Sequence, residues 1–242
     1  MRIVREGSVY QLSFMPRFFP VNCYFVEEED GLTLIDAALP FSYKAILKAA
    51  GDMEKPIQRI LLTHSHDDHV GALDRLKAAL PHVPIYISER DSKILSGDLT
   101  LEPEEPQTPI RGGVPKKLKT RADILLKDGD CIGSLLAIAT PGHTPGQMAF
   151  LDTRSRAIIA GDAFQTRTGV TVAGELKLSF PFPALATWSK SLAVESAQKL
   201  LDQQPTLLAV GHGEMVKMPT EKMKRAIDEA KQSMERKKLN VT

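Results

Sequence analysis

Little in this chain is extreme, and each shortage excludes something. Only 2 of its 242 residues are cysteine, Cys23 and Cys131, far apart in sequence. Two thiols make no disulfide framework, so a reducing compartment is the simpler reading, and both are expected to be buried small apolar residues. No run approaches the ~18 consecutive apolar residues that a membrane span needs. The first ten residues, Met1 to Tyr10, carry no apolar stretch of the signal-peptide kind. The cytoplasm is therefore the default location, with no membrane partner. A formal net charge of +1 gives no global pull on nucleic acid, and none is expected as a partner. Lys222, Lys224, Arg225 and Lys231 alternate with Asp228, Glu229 and Glu235 and read as a solvated helix face.

What is present is an ordinary globular balance, 43% hydrophobic and 25% charged, in a length that suits one domain over 1–242. Val21 to Val26 and Leu32 to Asp36 read as strands about a turn at Glu28–Gly31. Helical spacing covers Phe41 to Ala50, with Gly51 as a stop, and Gly71 to Leu80, ended by Pro81. Ile57 to Leu62 is a buried strand, Ile85 to Ile87 a short one, and Glu89 to Leu95 a short helix. Strands return at Ile124 to Leu126, Leu135 to Thr140, Met148 to Leu151, Ala157 to Ala160 and Thr206 to Val210. The stretch Phe164 to Pro183 reads as loop, with a hairpin around Gly174. Helices are expected over Ala186 to Leu201 and Pro219 to Lys237, with a fraying tail beyond. The class is α/β (or α+β), two sheets flanked by helices. Between Ser96 and Thr120 the pattern fails. Four prolines, Gly112-Gly113 and few large apolar residues make this an aperiodic insertion able to cover a site.

The chemistry is concentrated in histidine. Five of the six histidines and one aspartate, Asp162, fall in four short elements, each just past a strand. The first is His64-Ser65-His66-Asp67-Asp68-His69. Residues i and i+2 of an extended chain point the same way, so His64 and His66 can hold one metal. The turn into the next helix brings Asp68 and His69 to a second point nearby. The other three are Gly142-His143, Gly161-Asp162 and Gly211-His212-Gly213, whose glycines let backbone come close. His82 lies outside every motif. Neutral imidazole with carboxylate suits zinc, iron or manganese.

The H-x-H-x-D-H run followed by Gly-His, Gly-Asp and Gly-His resembles the metallo-β-lactamase superfamily, and the VNCYFV…LTLIDAA opening is similar to its first strands. The resemblance implies a four-layer αβ/βα sandwich with metals at one edge between the sheets. It implies His64, His66 and His143 on one metal, Asp68, His69 and His212 on a second, and Asp162 bridging. It also implies that Asp36 supports a ligand from behind. The expected cofactor is two divalent ions, Zn2+ first, with Fe or Mn as alternatives. The expected activity is hydrolysis of an ester, thioester or lactone of a small molecule, with Asp68 accepting or relaying a proton.

An aspartate at the bridging position, where β-lactamases of the family use cysteine or no bridge, turns the comparison toward the glyoxalase II-like and lactonase-like branches. The tyrosine that such lactonases carry after the bridge is absent, since Ala163-Phe164-Gln165-Thr166 follow Asp162. The helical C-terminal portion of glyoxalase II is not evident either. Two alternatives remain: an iron-dependent redox enzyme of the persulfide dioxygenase kind, and a phosphodiesterase or nuclease of the same fold. Oligomeric state and substrate identity stay open.

Overall fold

Alternation of side chains along the strands builds this protein from the inside outward. The computed structural model describes residues 1–239. In chain order the elements begin with β1 (Arg2–Glu6), β2 (Val9–Phe14), β3 (Val21–Glu28), β4 (Gly31–Ile35), α1 (Tyr43–Asp52) and β5 (Ile57–Leu61). They continue with α2 (Asp67–Val70), α3 (Leu73–Ala79), β6 (Ile85–Ser88), α4 (Glu89–Leu95) and β7 (Ile124–Leu126). The second half holds β8 (Cys131–Ile132), β9 (Leu135–Ala139), β10 (Met148–Asp152), β11 (Ala157–Ile159), β12 (Phe164–Gln165) and β13 (Thr171–Val172). It ends with α5 (Phe182–Leu185), α6 (Lys190–Asp202), β14 (Leu207–Ala209), β15 (Val216–Lys217) and α7 (Thr220–Leu239).

A seven-stranded sheet runs in the order β1 to β7, antiparallel as far as β4 and parallel from β4 to β7. A six-stranded sheet runs β15-β14-β11-β10-β9-β8, with β11 and β14 its parallel pair. Because strand side chains alternate, each sheet has two buried faces. In β3, Tyr24 and Val26 face the other sheet, while Cys23 and Phe25 face helices. In β10, Met148 and Phe150 face inward, while Ala149 and Leu151 turn to the other side. The helix-side clusters take Ile46, Leu73 and Leu76 from α1 and α3, and Ala197, Leu200, Met223 and Ile227 from α6 and α7. The result is the αβ/βα sandwich the sequence predicts. No described helix is long and apolar enough to cross a membrane.

Several local expectations need correction. Helix α1 runs through Gly51, which is exposed and ends nothing. The hairpin after Asp162 is β12–β13, turning at Arg167–Gly169, and Gly174 follows it. Helix α6 starts at Lys190 rather than Ala186, because Ser189 caps it by accepting from the Leu192 N–H. Cys23 is buried, but Cys131 is exposed on β8. Strands β1, β2, β8 and β15 were not evident in the sequence. The tail at 240–242 lies outside the described residues.

The segment 96–120 carries no helix or strand. Its C-terminal end is tied to α3, where Asp74 accepts from the Lys119 and Thr120 N–H groups and the Thr120 hydroxyl. Burial raises the Asp74 carboxyl pKa, but these donors reverse that and hold it below its ordinary value. A folded-state value below the unfolded one gives stability that is full at neutral pH and lost as pH falls through the folded value. Asp74→Asn should therefore lower stability most near pH 7 and progressively less toward acid. Urea titrations across a pH series read this directly, and a pH-independent difference would refute the anchor's ionic character.

Candidate metal centre

Four strand ends deliver the four motifs to one edge of the sandwich. Strand β5 runs into Thr63 and His64, and β9 leads to the Thr140–Gly146 loop that carries His143. Strand β11 ends before Gly161-Asp162, and β14 before Gly211-His212. All five histidines and Asp162 are buried, and Asp68 is a quarter exposed. Ligand atoms converge within 4.8 Å of one another in three groups: His64, His66 and His143; His64, His69 and Asp162; Asp68, His69 and His212.

The outer nitrogen of every ring is committed to an acceptor. His66 Nε2 lies 2.8 Å from the Arg111 carbonyl oxygen, and His212 Nδ1 lies 2.6 Å from that of Pro20. A carbonyl only accepts, so both nitrogens carry the proton. His69 Nδ1 donates to Asp36 Oδ2 at 2.7 Å. The Thr63 hydroxyl gives its proton to Asp36 and so accepts from His64 Nδ1 at 3.1 Å. The Thr187 hydroxyl gives its proton to the Pro183 carbonyl and accepts from His143 Nδ1 at 3.0 Å.

Every neutral ring is thereby left with a lone pair on its inner nitrogen, and the inner nitrogens face one another. His66 Nδ1 is 3.1 Å from His64 Nε2 and 3.0 Å from His143 Nε2. His69 Nε2 and Asp162 Oδ1 are buried without a hydrogen-bond partner. Acceptors packed against acceptors are costly unless a cation sits among them, so this donor set fits metal ions. Asp162 reaches both sides: Oδ2 is 3.3 Å from His143 Nε2 and 3.2 Å from His212 Nε2, while Oδ1 is 3.4 Å from His69 Nε2.

Charge follows the same division. Burial pushes the imidazole pKa of His64 and His143 well down. For His69 and His212 burial acts the same way, but Asp162 reverses it, helped by Asp36 and Asp68 respectively. Burial alone would raise the Asp162 carboxyl, yet His212 and His69 hold it well below its ordinary value. Protons and metal ions thus compete for the same inner nitrogens.

The rest of the molecule keeps these loops in register. Asp36, at φ 63°, accepts from the Thr63 N–H and hydroxyl as well as from His69. The β3 residues Asn22 and Tyr24 donate to the Val210 carbonyl across the sandwich, at 2.8 and 2.7 Å, and fix the His212 loop. Burial raises the Tyr24 phenol far above its usual pKa, so it stays a donor.

Sequence reasoning missed Asp91. Its carboxylate accepts from the Ser65 N–H and hydroxyl, both at 2.8 Å, and from the Gly146 N–H at 2.9 Å. It therefore clamps the His64–His66 loop to the His143 loop. No periodicity in α4 separates this aspartate from its exposed neighbours; only the fold brings it under both loops. Asp91→Ala leaves buried donors unsatisfied and should cost about 2–4 kcal/mol of stability. It should also weaken metal binding by about 10–100-fold. Denaturant titration and metal-content measurement check the two effects.

A further unforeseen contact comes from the insertion. The Arg111 carbonyl holds His66, the Asp67 N–H donates to the Gly113 carbonyl at 2.7 Å, and Gly112 lies flat against the His66 ring. Gly112 has φ 94°, and an added Cβ would come within 2.5 Å of His66 Cε1.

A four-layer sandwich with two histidine–carboxylate clusters at one edge defines a metal-dependent hydrolase with a dinuclear site. The chain belongs to the metallo-beta-lactamase superfamily, whose family model matches residues 16–212. It is 58% identical over 231 residues to YobT of Bacillus subtilis, covering 96% of this chain and 99% of that protein. It is 31% identical over 198 residues to the hydroxyacylglutathione hydrolase GloC of Haemophilus influenzae, covering 74% and 84%. The crystal structure of TTHA1623 in a di-iron-bound form superposes with a TM-score of 0.64 at 26% identity, covering 87% of this chain and 96% of that one.

Proposed function

We propose that this chain hydrolyses an ester, thioester or lactone of a small molecule, with one domain over 1–242 and the 96–120 insertion forming part of its substrate wall. His64, His66 and His143 would hold one metal ion and Asp68, His69 and His212 a second, with Asp162 shared between the two groups. The observation that carries the reading is the convergence of inner nitrogens from five rings around one carboxylate, which suits Zn2+ first and iron or manganese next. The similarity to a hydroxyacylglutathione hydrolase supports the thioester level.

A bound pair of divalent cations supplies a nucleophile at neutral pH and Lewis acidity toward the substrate carbonyl. The protein's own part is positional. Five rings locked by outer hydrogen bonds present their lone pairs without reorganisation. Asp68, the most exposed of the donors, has Oδ2 3.4 Å from His212 Nε2 and accepts or relays a proton at the cavity floor. The complete second group, Asp68, His69 and His212, favours a two-metal hydrolase over a mononuclear iron oxidase. Metal-content measurement followed by a screen of lactones, thioesters and phosphodiesters on one preparation tests the reading. Two equivalents of metal with carboxylic-ester or thioester turnover supports it. One equivalent of iron with oxygen consumption, or turnover of phosphodiesters alone, overturns it.

A further inference from the structure

We infer that the acyl part of the substrate is a long apolar chain, seated between α5 and the far end of the insertion. The inference rests on the hydrolase reading above. A cavity of about 1130 Å³ opens from His66, His143, Asp162 and His212. That exceeds the ~300–1,000 Å³ typical of small-molecule sites. Its apolar lining includes Phe19, Val70, Val114, Leu118, Phe182 and Leu185.

Helix α5 is only four residues long, and its two large side chains are turned outward. Phe182 is 54% and Leu185 62% exposed, although both line the cavity, and neither belongs to the three core clusters. The apolar surface is continuous with the metal centre. The Phe19 ring centroid lies 5.1 Å from that of His212 and 5.2 Å from that of Phe182. Val114 and Leu118 line the same cavity, on the stretch that follows the Arg111–Gly113 anchor at His66.

Asp67 and Asp68 stand at the metal end, while Lys116 and Lys117 are exposed on the insertion. A chain leaving the carbonyl carbon toward α5 meets the carbon surface of Phe19, Phe182 and Leu185. Each buried methylene contributes ~0.8 kcal/mol, about fourfold in affinity. An acyl group of about eight to twelve carbons is the occupant this surface fits.

The test uses the metal-loaded full chain and a series of p-nitrophenyl esters and acyl thioesters from acetyl to dodecanoyl. The expected kcat/KM rises about threefold per methylene up to the octanoyl or decanoyl member. Phe182→Ala and Leu185→Ala should each lower the decanoyl-to-acetyl ratio about tenfold, through KM. An independent arm needs no turnover. Calorimetry should show decanoate binding with a negative heat-capacity change that is weakened about tenfold in Phe182→Ala. A flat chain-length profile in an active enzyme overturns the acyl seat and leaves the hydrolase reading intact. Decanoate binding in a preparation that hydrolyses no ester, thioester or lactone supports the apolar seat and overturns the hydrolase reading. A dimer in sedimentation that dissociates in Phe182→Ala would assign this face to a second copy of the chain and overturn the seat.

Discussion

Asp162→Ala is expected to lose at least one of two metal equivalents and about 10³-fold or more of metal-dependent turnover, while the protein stays folded. Its carboxylate lies within 3.4 Å of inner nitrogens from His69, His143 and His212, so removing it withdraws the negative charge shared by both clusters. A loss of several kcal/mol of electrostatic stabilisation corresponds to that factor in rate. The fold should survive because Asp162 lies in a strand-end loop outside the apolar core clusters, and its Oδ1 is buried with no hydrogen-bond partner. His66→Ala should behave likewise. Metal content, circular dichroism and kcat/KM on one preparation check the set. Near-normal turnover in either variant refutes the assignment.

Gly211→Ala is expected to be still more damaging per atom added. The new Cβ would overlap Asp162 Oδ1 and lie 2.6 Å from His69 Cε1. Relief would have to come from moving one of the two side chains out of the cluster. Asp36 fixes His69 from behind, and the Gly211 N–H donates to the Gly161 carbonyl at 2.9 Å. Overpacking of this kind costs roughly 3 kcal/mol, directed here at the bridging position. The comparison variant is Gly51→Ala, where an added Cβ meets nothing within 4 Å on the exposed face of α1. That change should stabilise by about 0.5–1 kcal/mol through helix propensity alone. Thermal melts and metal content distinguish the two glycines, and equal effects would show that close approach at Gly211 is not what matters.

The donors were legible because their chemistry is carried by residue type and local spacing. A buried strand that runs into His-x-His, and glycines beside His143, Asp162 and His212, leave a mark in one dimension. Sandwich layering was legible for the same reason, since β3 and β10 alternate between two buried faces. Strands β1 and β15 left no such mark. They are edge strands with half-exposed, charged sequences, and their pairing is set by β2 and β14. The apolar pattern predicts a start for α6 four residues early because Ala186 and Trp188 continue it, whereas the Ser189 side chain decides where the backbone turns helical. The positions that orient the rings were the least legible. Two of the five acceptors, at Arg111 and Pro20, are main-chain carbonyls, which any residue supplies. Asp91 acts on Ser65 and Gly146 from positions 26 and 55 residues away, a pairing that only the tertiary fold creates.

The insertion grips His66 and Asp67 with backbone atoms alone, through the carbonyls of Arg111 and Gly113 and the bare face of Gly112. Nothing in that grip depends on which side chains follow. The exposed residues Lys116 and Lys117 can therefore be rewritten, and with them the contour a substrate meets, while the rings behind keep their tautomers. Selectivity and metal chemistry are mechanically decoupled at this point in the chain, so a library confined to those two positions should change what is bound without changing how tightly the metals are held.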